Sequence, residues 1–205
     1  MTALVMTSVV LAANVLGAGM AYPQARKLVR TRRTEGVSTV WIGISMAMNA
    51  WWVVYGLVAG VWALLPVSGV SFVLYATIGW IMLRAVGRGV LGGIALGLLG
   101  LGLLPVPFLV AGGWVLAGGV IGLGYGIQLA PAVVGSYLRS DLSGVAAGTW
   151  VIALVEAVLW LLYGTYVGDP ALLAGGASGV AMAGLILGRL TWIWHQPSKG
   201  AWVAA

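Results

Sequence analysis

Glu156 is the residue best placed to do chemistry in this chain. It stands in the apolar run LVEAVLWLLYG, with Trp160 and Tyr163 one and two helical turns further on. That spacing puts the three side chains on one helix face. An earlier stretch, MNAWWVVYG, holds Met48, Trp52 and Tyr55 at the same spacing, with Asn49 beside them. A carboxylate set among aromatic rings and a few polar groups suits a hydroxyl-rich or cationic small molecule, or a proton in transit. The plainer alternative is a neutral glutamic acid tied to a neighbouring helix, beside an aromatic stripe that only packs. An ionisable group deep in an apolar segment favours function over packing. The sequence offers no paired carboxylates, metal-ligand cluster or nucleophile–base spacing, so no enzyme, cofactor or metal is expected. With no cysteine, neither a disulfide framework nor a thiolate metal site is available.

The elements that position these residues must work in lipid. The chain has 205 residues, of which 61% are hydrophobic and 7% charged, and its mean hydropathy is +1.07. Soluble domains carry roughly 25% charged residues, far more than this chain. Met1 to Ala25, Gly36 to Leu83 and Gly89 to Leu138 contain no charged residue at all. A helical crossing needs about 20 residues. The apolar runs then divide into seven helices, at 3–23, 38–59, 63–83, 89–107, 112–131, 146–167 and 170–190. Barrel strands would alternate apolar and polar residues, and these segments do not. No basic stretch precedes the first helix, which reads as retained rather than as a cleaved signal.

Seven crossings place all ten basic residues on one side, leaving Asp169 on the other. By the positive-inside rule the basic side is cytoplasmic, with the N-terminus outside and the C-terminus inside. The net charge of +6 therefore reads as orientation beside anionic headgroups rather than nucleic-acid binding. The cluster Arg26 to Arg33 lacks interleaved aromatic residues on which bases could stack.

The chain also repeats itself. Aligned so that Pro23 meets Pro131, Gly36-Val37 meets Gly144-Val145, Trp52 meets Trp160, and Tyr55-Gly56 meets Tyr163-Gly164. Each unit is three helices, and the intervening helix restores orientation, so the two copies are parallel. In transporters built this way the substrate site lies at the repeat interface near the bilayer midplane. Pro23 and Pro131 sit late in helices one and five, where paired prolines suit a hinge on the cytoplasmic side. Small-xxx-small pairs such as Gly93/Gly97 and Gly118/Gly122 read as close helix packing. Asn14 and Gln128 are uncharged polar groups that either line a pathway or tie helices together.

Pro23-Gln24, the basic loop ending in Glu35-Gly36-Val37-Ser38, and Trp52-x-x-Tyr55-Gly56 together resemble the PQ-loop superfamily, and within it the SWEET-type transporters. The second copy keeps Pro131, Trp160 and Tyr163-Gly164, with Ala132 in place of the glutamine. The resemblance implies an all-α integral membrane fold of seven helices arranged 3+1+3. Its parts would be a first triple-helix bundle at 1–86, a linker helix at 87–110, a second bundle at 111–192, and a cytoplasmic tail at 193–205. It implies a uniporter for a small polar solute, a sugar in the SWEET case, working by alternating access in the plasma membrane. Residues and resemblance together make the expected substrate site Trp52, Trp160, Asn49, Glu156, Ser68 and Tyr163, with Asn49 outside the family's own position, and the hinge Pro23, Gln24 and Pro131. Sugar-transporting members carry asparagine where this chain has Ser68 and Gly176. A proton-coupled amino-acid transporter of the cystinosin-like branch, using Glu156 to carry the proton, is the alternative. A non-transporting receptor ranks below both, because the outer face offers only Asp169 and short loops. The expected partners are the solute and membrane lipids, with homo-oligomerisation left open and nucleic acid excluded.

Overall fold

The computed structural model describes residues 2–31, 38–138, 142, 145 and 147–195, and the side chains of 21, 23–25, 27–29 and 31 lie outside that description. The ordered elements are α1 (Thr2–Thr31), α2 (Thr39–Ala59), a 3₁₀ turn (Trp62–Leu64), α3 (Leu65–Val86), α4 (Val90–Leu103), α5 (Pro105–Leu138), α6 (Ala147–Val167) and α7 (Pro170–Trp194). No strand occurs among the described residues. Six stretches are long and apolar enough to cross a membrane, with Val90–Leu138 counted as one. The chain is read accordingly as an integral membrane protein.

Local chemistry sets the helix ends. Ser38 caps α2, its hydroxyl accepting from the Trp41 amide at 3.2 Å, and Gly60 closes it in the left-handed region at φ 72°. Asp169 caps α7 by accepting from the Leu172 amide at 2.9 Å, with Pro170 in the first turn, where a missing N–H costs nothing. Leu104, just past α4, keeps right-handed helical angles of φ −57° and ψ −43°. Pro105 and Pro107 follow and supply no backbone donors, so the end of α4 is a lapse in hydrogen bonding more than a change of course. The real break is at Gly112–Gly113 inside α5, where Gly113 adopts φ 64°, ψ −159°. That conformation is essentially closed to residues with a Cβ. The fourth helical rod thus runs from Val90 to about Ala111, beyond the 89–107 expected from the sequence. Other helices also outrun their expected limits: α1 reaches Thr31, α5 reaches Leu138 and α7 reaches Trp194.

Residue pairs fix the helix directions. Gly56 faces Leu65 and Gly79 faces Ile42, so α2 and α3 are antiparallel. Gly93 packs on Thr39, Gly97 on Val40 and Ile44, and Gly102 on Ala47, so α4 runs parallel to α2. Gly118 packs on Tyr55 and Gly124 on Met48, so α5 runs opposite to α2. The chain therefore reverses between α4 and the body of α5, at the Gly112–Gly113 break. Gly122 against Ala171 and Gly126 against Ser178 make α5 and α7 parallel, while Gly164 against Leu172 and Gly176 against Leu161 make α6 antiparallel to α7. Asn14 meets Ala63 and Gly17 meets Val67, aligning α1 with α3.

Packing follows a repeated pattern. α3 packs on both α1 and α2, and α7 packs on both α5 and α6. α1 packs across on α6, α2 on α5, and α4 covers α2. One apolar cluster, including Ile42, Ile78, Ile81 and Met82, joins α2 and α3 near one end. A second, including Ala13, Met48, Tyr55, Ile121, Trp160 and Leu172, joins both halves. Arg26 and Arg30 of α1, Arg84 of α3 and Arg189 of α7 lie near the C-terminal ends of parallel helices, and Asp169 lies at the start of α7, the opposite end. Arg32, Arg33, Glu35, Gly36, Val37, Arg139, Asp141 and Lys199 fall outside the described residues.

The α2–α4 contact leaves no room for a side chain at Gly97, because a Cβ there would strike the Val40 carbonyl. Overpacking of this kind costs about 1–3 kcal/mol. Gly97→Ala should lower the melting midpoint of the detergent-purified protein, and Gly100→Ala, whose Cβ would enter open space, should not. Equal midpoints for the two variants would contradict the contact.

Candidate functional site

A cavity of about 110 Å³ lies where the two sets of helices meet, lined from α1, α2, α3, α5, α6 and α7. A water needs roughly 10–15 Å³ on the same measure, so the space is large enough for several waters. Trp52, Trp160, Asn49, Glu156 and Ser68 all line it, so five of the residues singled out in the sequence converge. Gly176 lines it too. A Cβ at Gly176 would come within 2.7 Å of the Leu161 backbone. Close α6–α7 packing therefore excludes at this position the asparagine found in sugar-transporting members of the resembled family.

Glu156 is buried, with 6% of its surface exposed. The indole N–H of Trp160 donates to its Oε1 at 3.2 Å, and the Tyr125 hydroxyl lies 3.3 Å from Oε2. Trp160 thus does two things: it presents a ring to the cavity and orients the carboxyl group one turn before it. The carboxyl group rests against Gly17 of α1, where any Cβ would collide with Oε1. Met48, the repeat counterpart of Glu156, sits likewise against Gly124 of α5. The two crosswise contacts, α1 with α6 and α2 with α5, are built alike: a long side chain lies over a glycine. Only one of them carries an acid.

The remaining polar groups fall into two cross-ties. Toward the end that holds Asp169, the Tyr55 hydroxyl donates to Asp169 Oδ2 at 2.8 Å, joining α2 to the start of α7. Toward the basic end, Gln128 Nε2 donates to Ser45 Oγ at 2.8 Å, joining α5 to α2. The cavity lies between these ties. Asn49 anchors its amide on the Ser45 carbonyl at 2.8 Å. Asn14 acts as a tie, donating to the Ala63 carbonyl at 3.1 Å and accepting from the Val67 amide at 2.8 Å. Gln128 both ties helices and lines the cavity.

Tyr163 is not among the residues lining the cavity. It is half-buried and sits edge-on to Trp160, with ring centroids 6.2 Å apart. Pro131 is exposed inside α5, and the helix continues past it to Leu138. Pro23 and Gln24 fall within the span of α1, and their side chains lie outside the described residues. The sequence reading passed over Ser71, Tyr75 and Tyr125, which also line the cavity. Tyr125 lies in the glycine-rich run GLGYGIQ, and a lone tyrosine in such a run looks like packing until the acid across the cavity is seen. Neither a family model, nor a curated protein, nor a solved structure matches the chain.

The donors on Glu156 generate a stability ranking. Glu156→Gln keeps an oxygen acceptor for the Trp160 indole and places an amide N–H donor beside the Tyr125 hydroxyl oxygen, whereas Glu156→Leu leaves the buried indole N–H bare, at about 1–3 kcal/mol. The Leu variant should therefore melt below the Gln variant in detergent. Equal midpoints would show that the hydrogen bonds to Glu156 do not hold α6 in place.

Proposed function

We propose that this chain is a membrane transporter that moves a small polar solute by alternating access between two parallel three-helix bundles. The bundles are α1–α3 and the body of α5 with α6 and α7, and the rod of α4 links them. The cavity carries the reading: it sits at the junction of the two halves, walled by the repeat-related Trp52 and Trp160. The helix directions support seven alternating crossings, since the odd-numbered helices run together and the even-numbered ones oppose them. The repeat register carries α1 onto α5, α2 onto α6 and α3 onto α7. It therefore exchanges the two crosswise contacts, α1 with α6 and α2 with α5, as a pseudo-twofold axis along the membrane normal requires. The shared basic end supports an orientation with that end cytoplasmic and the N-terminus outside, in the plasma membrane.

The mechanism follows from the two cross-ties. A site reached from alternate sides needs a closure on each side that opens while the other holds. Tyr55–Asp169 is suited to close the outer path, and Gln128–Ser45 the cytoplasmic path, with the paired prolines allowing the helix ends beyond to swing. Paired tryptophan rings suit the face of a sugar ring, the solute class that the PQ-loop resemblance also favours. Glu156, hydrogen-bonded at the cavity wall, favours a second reading: proton-coupled movement of an amino acid.

Purified protein in liposomes should pass a labelled sugar or other small polar solute down its gradient. Trp160→Ala should abolish that flux, because it removes both a wall and the donor that orients Glu156. Absence of flux across a panel of sugars, amino acids and amines would overturn the transport reading. Sugar flux indifferent to a pH gradient would count against the proton-coupled alternative.

A further inference from the structure

We infer that the solute taken by this cavity carries a single positive charge, as a small ammonium compound, a protonated amine or an amino sugar does. The inference rests on the transport reading and narrows its solute by charge. Among the described residues lining the cavity, Glu156 is the sole acid, and none is lysine, arginine or histidine. The groups that hold Glu156, the Trp160 indole and the Tyr125 hydroxyl, are neutral. They orient the carboxylate without cancelling its charge. A carboxylate has about four lone-pair sites, so two such bonds leave room for a ligand's N–H donors. In an apolar interior an ionised carboxylate needs a compensating charge, and a cationic solute brings one.

The surrounding surface fits the same chemistry. The electron-rich faces of tryptophan and tyrosine attract a cation within about 6 Å, and Trp52, Trp160, Tyr75 and Tyr125 all line this cavity. Trp52 is held in place by Gly175, where a Cβ would lie 3.2 Å from Cζ2 of the indole. Met48 occupies the place that mirrors Glu156, so the repeat supplies one negative charge, which matches one positive charge. An anionic solute would meet the Glu156 carboxylate with no cation to receive it. A zwitterion would leave its own carboxylate unmatched. The cavity of about 110 Å³ has room for a compact molecule of this kind.

The experiment uses solute pairs that differ in charge at nearly constant shape: choline with 3,3-dimethyl-1-butanol, and glucosamine with glucose. Binding to the full-length protein in detergent is read by thermal shift, since a ligand of the folded state raises the midpoint, and uptake is read in liposomes. Each cation should raise the midpoint and enter at least about tenfold faster than its neutral partner, a ratio within reach of one charge–aromatic site. Glu156→Gln should erase that preference, so that each cation is bound and moved no better than its neutral partner. Trp52→Leu should weaken cation binding in a chain whose acid is intact, a second test should the Gln variant fail to fold. Flux of neutral solutes equal to that of the cations, unchanged by Glu156→Gln, would overturn the charge inference and leave transport standing. A cation-selective thermal shift without flux would keep the site and overturn transport. No shift and no flux would overturn both.

Discussion

A buried carboxyl group in a helix of membrane length constrains everything around it. Glu156 is hydrogen-bonded on both oxygens and pressed against Gly17, so its position depends on two other helices as well as its own. α1 must bring a glycine to it, α5 must bring Tyr125, and α6 must place Trp160 one turn on. Were any of these to shift, an acid would face hydrocarbon at a cost of about 2.5 kcal/mol or more. The crosswise pairing of α1 with α6 is thus tied to the placement of a single side chain.

Much of this was legible in the sequence because lipid leaves few options. Backbone groups in hydrocarbon must be satisfied internally, so uncharged runs of suitable length become helices. Those runs yielded the long apolar helices. The Pro, Gly-Val, Trp, Tyr-Gly series pointed to a repeat, and with it to Trp52 and Trp160, which both line the cavity. What could not be read was which residues of the glycine-rich helices point inward. Apolar residues face lipid and protein alike, so Tyr125 and Tyr75 carry no periodic signal that separates them from packing. Tyr163 shows the limit of spacing: it shares a helix face with Trp160 yet is not part of the cavity lining. The end of α4 was misjudged for a related reason. The sequence reading placed it at Pro107, but the chain keeps its helical angles at Leu104 and turns at Gly113, where the backbone needs a glycine.

The two halves share a framework and differ in chemistry. Each crosswise contact places a long side chain over a glycine, and the exchange of methionine for glutamate gives the cavity an electrostatic direction. Gly176 differs from its counterpart Ser68 because α6 and α7 approach too closely for a side chain there. A symmetric scaffold therefore supplies the walls, and its departures from symmetry supply the one acid among the described residues that line the cavity. The polar ties lie on either side of that asymmetric centre, each spanning the two halves.

The central claim is that these halves rock about the cavity, and distances across its two ends measure this directly. The chain has no cysteine, so spin labels attach only where cysteines are introduced. The exposed positions Val58 and Val167 flank the end nearest Asp169, and Val86 and Leu138 flank the basic end. Pulsed-resonance distances in liposomes should move reciprocally when solute is added, one pair lengthening as the other shortens. Both pairs holding still, or lengthening together, while a transported solute binds would contradict the account.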